Sequence, residues 1–334
     1  MIDSLYAIEV DKKFGYMNNQ GKIIISPKFD YAEDFYNDIA VVSIGEKFAF
    51  IKRSGELISE FTYDDVFEKS EGLIVVEKDG KMGYVNLEGE LVIDTVFDDA
   101  LSFSEGYAAI QRDYKWGYID KAGKEIITPQ FLSACDFSEG LALVQSGGKL
   151  GYIDINGHFI IEPKYDYAYS FSEGLAAVKI KNNFGYIDKQ GNVVVKPQFY
   201  TASNFHEGLA AVEKEEKYGF ITRDGRFVIP AHYDWAENFY NGVASVAIGE
   251  KYGFIDNNGV VIIPIKFENV DSCNEGLFSV QINGKWGYID CEGNFVIEPV
   301  FDEVSSFIDG IAKVVLNGKI NYIHKDGSIV SSSD

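Results

Sequence analysis

Hydrophobic and polar positions recur along this chain with a period of 34 residues. A glycine followed by an aromatic residue stands at Gly15-Tyr16, Gly83-Tyr84, Gly117-Tyr118, Gly151-Tyr152, Gly185-Tyr186, Gly219-Phe220, Gly253-Phe254 and Gly287-Tyr288, with Ala49-Phe50 and Asn321-Tyr322 in the same register. Six residues after the first member of each pair comes another glycine, from Gly21 to Gly327. An aromatic residue follows at fourteen, from Phe29 to Phe301. Within a unit the alternation is that of β-structure. Leu175 to Lys179 reads as a first strand, Asn183 to Asp188 as a second, and Asn192 to Val195 as a third. Asn-Gly at 283–284 and 317–318 supplies the tight hairpin turn between the first two. Asp188 to Gly191 is a second turn, whose glycine is expected in the left-handed conformation. In the central strand Phe184 and Tyr186 face one way, Gly185 and Ile187 the other, so both faces are apolar and each sheet is packed between neighbours. The glycine is expected to make room for a neighbouring aromatic ring.

Downstream the period changes. Pro163 and Pro197 end the third strand, and Tyr165-Asp166-Tyr167-Ala168-Tyr169-Ser170-Phe171 spaces its apolar residues at i, i+3 and i+6. That spacing predicts one helical turn, capped by Asp166. The expected fold is all-β: ten 34-residue repeats, each three antiparallel strands plus a short helical link. They form one repeat domain over 1–334, with units near 1–36, 37–70, 71–104, 105–138, 139–172, 173–206, 207–240, 241–274, 275–308 and 309–334. No strand is left over at either end to complete a sheet at the other, and 34 residues are few for a propeller blade. The expectation is therefore an open β-solenoid or superhelix, with a closed propeller-like toroid as the alternative.

Lys115-Trp116-Gly117-Tyr118-Ile119-Asp120 and Lys285-Trp286-Gly287-Tyr288-Ile289-Asp290, with the Pro-x-Phe-Asp-x-Ala-x-x-Phe-Ser-Glu-Gly-Leu-Ala signature downstream, resemble the bacterial WG (KWG) repeat family over residues 3 to 331. The second unit departs most, with Ala49 for glycine and Lys69 for phenylalanine. The resemblance implies a bacterial, β-rich scaffold and no particular reaction.

Composition narrows the function classes. With 30 Lys+Arg against 52 Asp+Glu the net charge is −22, which argues against binding nucleic acid or an anionic membrane through phosphate contacts. Hydrophobic residues at 46% suffice for a core, yet no run approaches the length of a membrane helix. The opening residues lack a basic and apolar leader pattern, so the expected location is the cytoplasm. Cys135, Cys273 and Cys291 make no disulfide framework. Phosphate-loop, nucleophile-elbow and zinc motifs are missing, and His158, His206, His232 and His324 fall in four different repeat columns. No enzyme activity, metal or cofactor is expected.

Two acidic columns stand out. Asp30, Asp64, Asp98, Asp166, Asp234 and Asp302 form one, and Glu71, Glu105, Glu139, Glu173, Glu207 and Glu275 another. They read as turn caps and backbone acceptors, or as an electrostatic face for a basic partner. The position after the aspartate varies freely, which marks exposure. Tyr31, Tyr167 and Trp235 stand there, with Tyr36, Tyr169 and Tyr240 nearby, as candidate partner-binding anchors. By contrast, Trp116 and Trp286 are expected in the core. The leading expectation is a noncatalytic scaffold for a protein or peptide, with preference for a basic one. The alternative is a carbohydrate or cell-envelope module whose aromatic rings stack on sugars.

Overall fold

A computed structural model describes residues 4–271 and 273–332, and within them the regular secondary structure is entirely β. Ten small sheets follow one another, seven of four strands and three of three. In a representative sheet, Asp99–Ala100, Tyr107–Arg112, Lys115–Asp120 and Glu125–Phe131 pair antiparallel in sequence order.

The predicted helical link is not present. In six sheets the segment before the long hairpin is instead a two-residue strand, as where Asp99 lies opposite Gln111 and Ala100 opposite Ile110, and in two it is a bulged strand of six residues, Asp65–Ser70 and Ser133–Ser138. The chain then runs to a second tight hairpin, closed by a bridge between Ser104 and Tyr107. Glu105 and Gly106 sit at its corner with φ of 54° and 85°, the signature of a type I′ turn. The aspartate thus caps no helix, and each link belongs to the sheet that follows it. Spacing i, i+3, i+6 misled because a strand of two residues is too short to show alternation.

The third strand is longer than expected and proline does not end it. Trp116 pairs with Phe131 and Tyr118 with Ile127, so Gly117 alone stands opposite residues 128–130 in a wide bulge. Pro129 lies inside that bulge, where its missing N–H interrupts no ladder. A Cβ on Gly117 would come within 2.3 Å of the Ile127 oxygen and 2.6 Å of the Pro129 nitrogen. The glycine therefore makes room for backbone of its own sheet, not for an aromatic ring of a neighbour. The Asp-x-x-Gly turn is as expected: the Asp188 carboxylate accepts from the Gln190 and Asn192 N–H groups, and Gly191 has φ 81°.

Successive sheets meet through the tyrosine of the Gly-Tyr pair. Tyr118, Tyr152 and Tyr186 are fully buried, each tilted against a phenylalanine of the next sheet at 4.7–4.8 Å (Phe137, Phe171 and Phe205). Their hydroxyls donate to the carbonyls of Cys135, Tyr169 and Ser203, which satisfies an otherwise costly buried group. Burial pushes these phenols well above the ordinary tyrosine range. Trp116 and Trp286, expected in the core, are half-buried at its edge.

The contacts group the chain into two compact units: Met1–Phe35 with Glu216–Gly219 and Val228–Asp334, and Tyr36–Glu215 with Phe220–Phe227. Within the former, the first sheet (Leu5–Phe29) packs directly on the last (Glu303–Ser332). Tyr6 donates to the Asp309 carbonyl and Tyr322 to the Ala7 carbonyl, both at 2.8 Å, over a shared cluster of Tyr6, Ile8, Met17, Ile311 and Tyr322. An open solenoid holds its ends apart, so that expectation is overturned in favour of the propeller-like alternative. Among the described residues no strand crosses from one end to the other, because the sheets meet face to face through side chains and each is already paired within itself.

Candidate partner-binding surface

The framework between sheets uses most of the acidic columns. The Lys47 and Lys81 ammonium groups, two residues before the Ala/Gly position, pair with Asp64 and Asp98 seventeen residues on. Lys149–Asp166, Lys217–Asp234 and Lys285–Asp302 repeat the contact. The second oxygen of Asp98 accepts the Asp113 N–H at 2.7 Å, and that of Asp64 the Asp79 N–H at 2.6 Å, so each carboxylate ties two sheets together. The paired lysine, then the turn N–H, holds both carboxyls below the usual range. The glutamate column acts similarly: Glu105 accepts from the Glu139 and Gly140 N–H groups of the next unit at 2.6 and 2.8 Å. Lys325 holds the Glu275 carboxyl below its ordinary value. These columns are structural rungs.

The six candidate anchors fall into several settings. In the unit containing Tyr36–Glu215, Tyr167 and Tyr169 share one link and are exposed. The Lys179 ammonium lies between the rings of Tyr167 and Phe184, 5.3 and 5.4 Å from their centroids, and Tyr169 stacks obliquely on Phe184 at 6.0 Å. Tyr36 stands apart at the start of a tight hairpin, its ring 5.9 Å from the Lys69 ammonium. In the other unit, Tyr31 is exposed 6.3 Å from Phe14, and Tyr240 occupies the hairpin position matching Tyr36 and is exposed. Trp235 is half-buried, with its ring edge-on to Tyr252 at 5.7 Å.

Trp235 lines a cavity of about 490 Å³ between two successive sheets, with Tyr252, Glu237, Ser245, Asn269 and Asp271. Ser245 is 7% exposed and donates to Glu237 Oε2 at 2.8 Å, which fixes that carboxylate. The sequence reading missed every lining residue but Trp235. A signal was there: Glu237 and Asp271 lie 34 residues apart, the one place where successive units both carry an acid in that column.

A polar column was also missed: Asp34, Glu68, Ser102, Asp136, Ser170, Asn204, Asn238 and Ser306. Ser102 donates to Glu68 at 3.4 Å, while Oδ1 of Asp136 and of Asn204 are covered and accept no hydrogen bond. Burial, then the Glu68 charge, pushes the Asp136 carboxyl up.

Small sheets joined face to face by buried tyrosines, with the first packed on the last, define a repeat protein of the β-propeller class. The sequence profile described as WG containing repeat matches residues 14–48, 48–81, 82–116, 116–149, 151–183, 184–218, 218–252, 252–286 and 286–319, and the chain belongs to that family. No curated protein matches it. Among solved structures, it resembles a crystal structure of a eukaryotic initiation factor with a TM-score of 0.58 at 13% identity, covering 88% of this chain and 95% of that one. At that identity the likeness is one of fold. Hsv2p of Kluyveromyces lactis follows at TM-score 0.39 and 9% identity, covering 68% and 92% of the two chains. PorZ of Porphyromonas gingivalis has TM-score 0.31 and 10% identity, covering 99% and 59%.

Proposed function

We propose that this protein is a noncatalytic interaction scaffold of the cytoplasm, holding a protein or peptide partner on its link segments and favouring a basic one. The observation that carries the reading is the exposure of Tyr167 and Tyr240, each 61% accessible, on the link segments. Large aromatic rings exposed to water are typical anchors for a partner. The net charge of −22 biases the choice of partner toward basic surfaces.

The test is quantitative affinity capture with the full chain and with a Tyr167→Ala/Trp235→Ala/Tyr240→Ala variant of unchanged circular dichroism. The variant is expected to lose the specific partner; equal capture by both proteins would sink the proposal. A carbohydrate reading draws on one observation, a tryptophan beside serine, asparagine and carboxylates in a cavity. A glycan array separates the two, since the scaffold reading expects no saturable sugar binding.

A further inference from the structure

The protein carries a cation site of its own in one sheet and the same site without the cation two repeats later. In the earlier sheet, Lys179 is the strand residue paired with Phe184, and its ammonium sits between the rings of Tyr167 and Phe184. Adding 68 residues gives Trp235, Ala247 and Tyr252 in place of Tyr167, Lys179 and Phe184. The register corresponds: Ala247 is paired to both Trp235 and Tyr252, while Lys179 is paired to Phe184 and donates its N–H to the Tyr167 carbonyl. The aromatic pair is kept, tryptophan being the strongest partner for a cation, but the lysine is replaced by a methyl group.

The surrounding charges change in the matching sense. The positions of Glu237 and Asp271 correspond to Tyr169 and Ser203 in the earlier sheet, so carboxylates occur where the internal ammonium does not. Ser245 holds one oxygen of Glu237, leaving the other face of the carboxylate to accept from a ligand. Backbone bonds from the Glu237 N–H to the Ser245 carbonyl (3.0 Å) and from the Asp271 N–H to the Ser279 carbonyl (2.9 Å) fix both acidic residues on their sheets.

We infer that the cavity lined by Trp235, Tyr252, Glu237 and Asp271 binds an alkylammonium group, supplied by a lysine side chain of the partner. The identity of the partner rests on the scaffold reading above; the chemistry of the pocket does not. About 490 Å³ is ample for a four-carbon stem with its ammonium. The Trp235 and Tyr252 rings, in edge-on contact with each other, would wall one side of the cation while the carboxylates accept its N–H donors.

The probe is n-butylammonium, titrated into the full chain and followed by the NMR signal of the Trp235 indole, assigned with Trp235→Phe. A saturable shift is expected, with n-butanol at least tenfold weaker. Glu237→Gln/Asp271→Asn, nearly isosteric, is expected to weaken the ammonium at least tenfold. Ala247→Lys should supply the cation from within and abolish binding. Equal binding of alcohol and ammonium, or undiminished binding by the Gln/Asn variant, overturns the inference.

A second arm compares a lysine-bearing peptide of the captured partner with its Nε-acetyl form, expected to bind at least tenfold more weakly. If n-butylammonium binds but the peptide does not, the source is a free amine and the lysine assignment falls. Loss of the partner in the triple alanine variant, with capture intact in the Gln/Asn variant, leaves the scaffold standing and removes this inference. Capture unchanged in the triple variant removes the scaffold, while the n-butylammonium titration still decides the pocket.

Discussion

Asp136 shows how one carboxylate can oppose the fold that carries it. Its Oδ1 is covered without a partner, and burial followed by the Glu68 charge raises its pKa. A raised carboxyl binds its proton more tightly in the folded state, so stability is greatest below the unfolded value and falls as pH rises through the folded one. Asp136→Asn is therefore expected to raise the melting temperature at pH 7 by roughly 1–2 °C, a small effect because the half-exposed charge is screened. The gain should vanish in acid, where Asp136 is already neutral. Thermal melts at pH 7 and pH 3 check both points. Asn204 and Asn238 occupy the same column, so the amide is already accommodated.

At the scale of the elements, the exceptions explain the rule for glycine. The unit with Ala49 in place of glycine lacks a regular third strand, keeping only isolated bridges from Phe48 to Tyr63 and Ile51 to Leu57. The unit with Asn321 pairs that residue directly with Ser332, where the others bulge. The chain itself thus compares a side chain with none at the bulge. Hairpins and repeat phase were legible in the sequence because the Asn-Gly turns at 283–284 and 317–318 have a fixed geometry. The second hairpin was misread because Glu-Gly fills most of its corners. Asn241-Gly242 and Asp309-Gly310 occupy the same corner and name the turn directly. The lysine–aspartate rungs were invisible in one dimension, since each joins residues seventeen apart on different sheets. The anchor column is visible as variation along the sequence, but Glu237 and Asp271 beside Trp235 lie on two separate links.

Those rungs predict the response to acid. Asp64, Asp98, Asp234 and Asp302 all titrate below the ordinary value, chiefly through their lysine partners. A depressed carboxyl stabilises the fold above its unfolded pKa and loses that contribution as pH falls through the folded value. The urea midpoint is expected to fall between pH 6 and pH 3. Asp98→Asn should lower the midpoint at pH 6 and differ little from the parent at pH 3; a constant difference would remove the rung from the account.

For the whole molecule, the decisive contact is the one between the first and last sheets. It predicts that a circular permutant, with its termini joined by a short linker and opened in the exposed turn between Gly147 and Gly148, folds with nearly the parental melting temperature. A chain whose ends lay far apart could not be joined this way without unfolding, so a molten or aggregated permutant would contradict the contact. The high negative charge adds a uniform self-repulsion that salt screens.

The same contact differs in kind from every rung. Sheet-to-sheet bonds reach 17 to 50 residues along the chain, whereas Tyr6 meets Asp309 across 303. Neighbouring sheets can assemble as local pairs, but the two end faces must find each other after almost all of the chain has ordered. Until then each end presents an apolar face shaped for its counterpart, and the counterpart on a second molecule is chemically identical. At high concentration during refolding, first sheets will latch onto the last sheets of neighbouring chains. Such head-to-tail exchange yields concatenated oligomers, held by the same Tyr6 and Tyr322 hydrogen bonds that fasten the monomer.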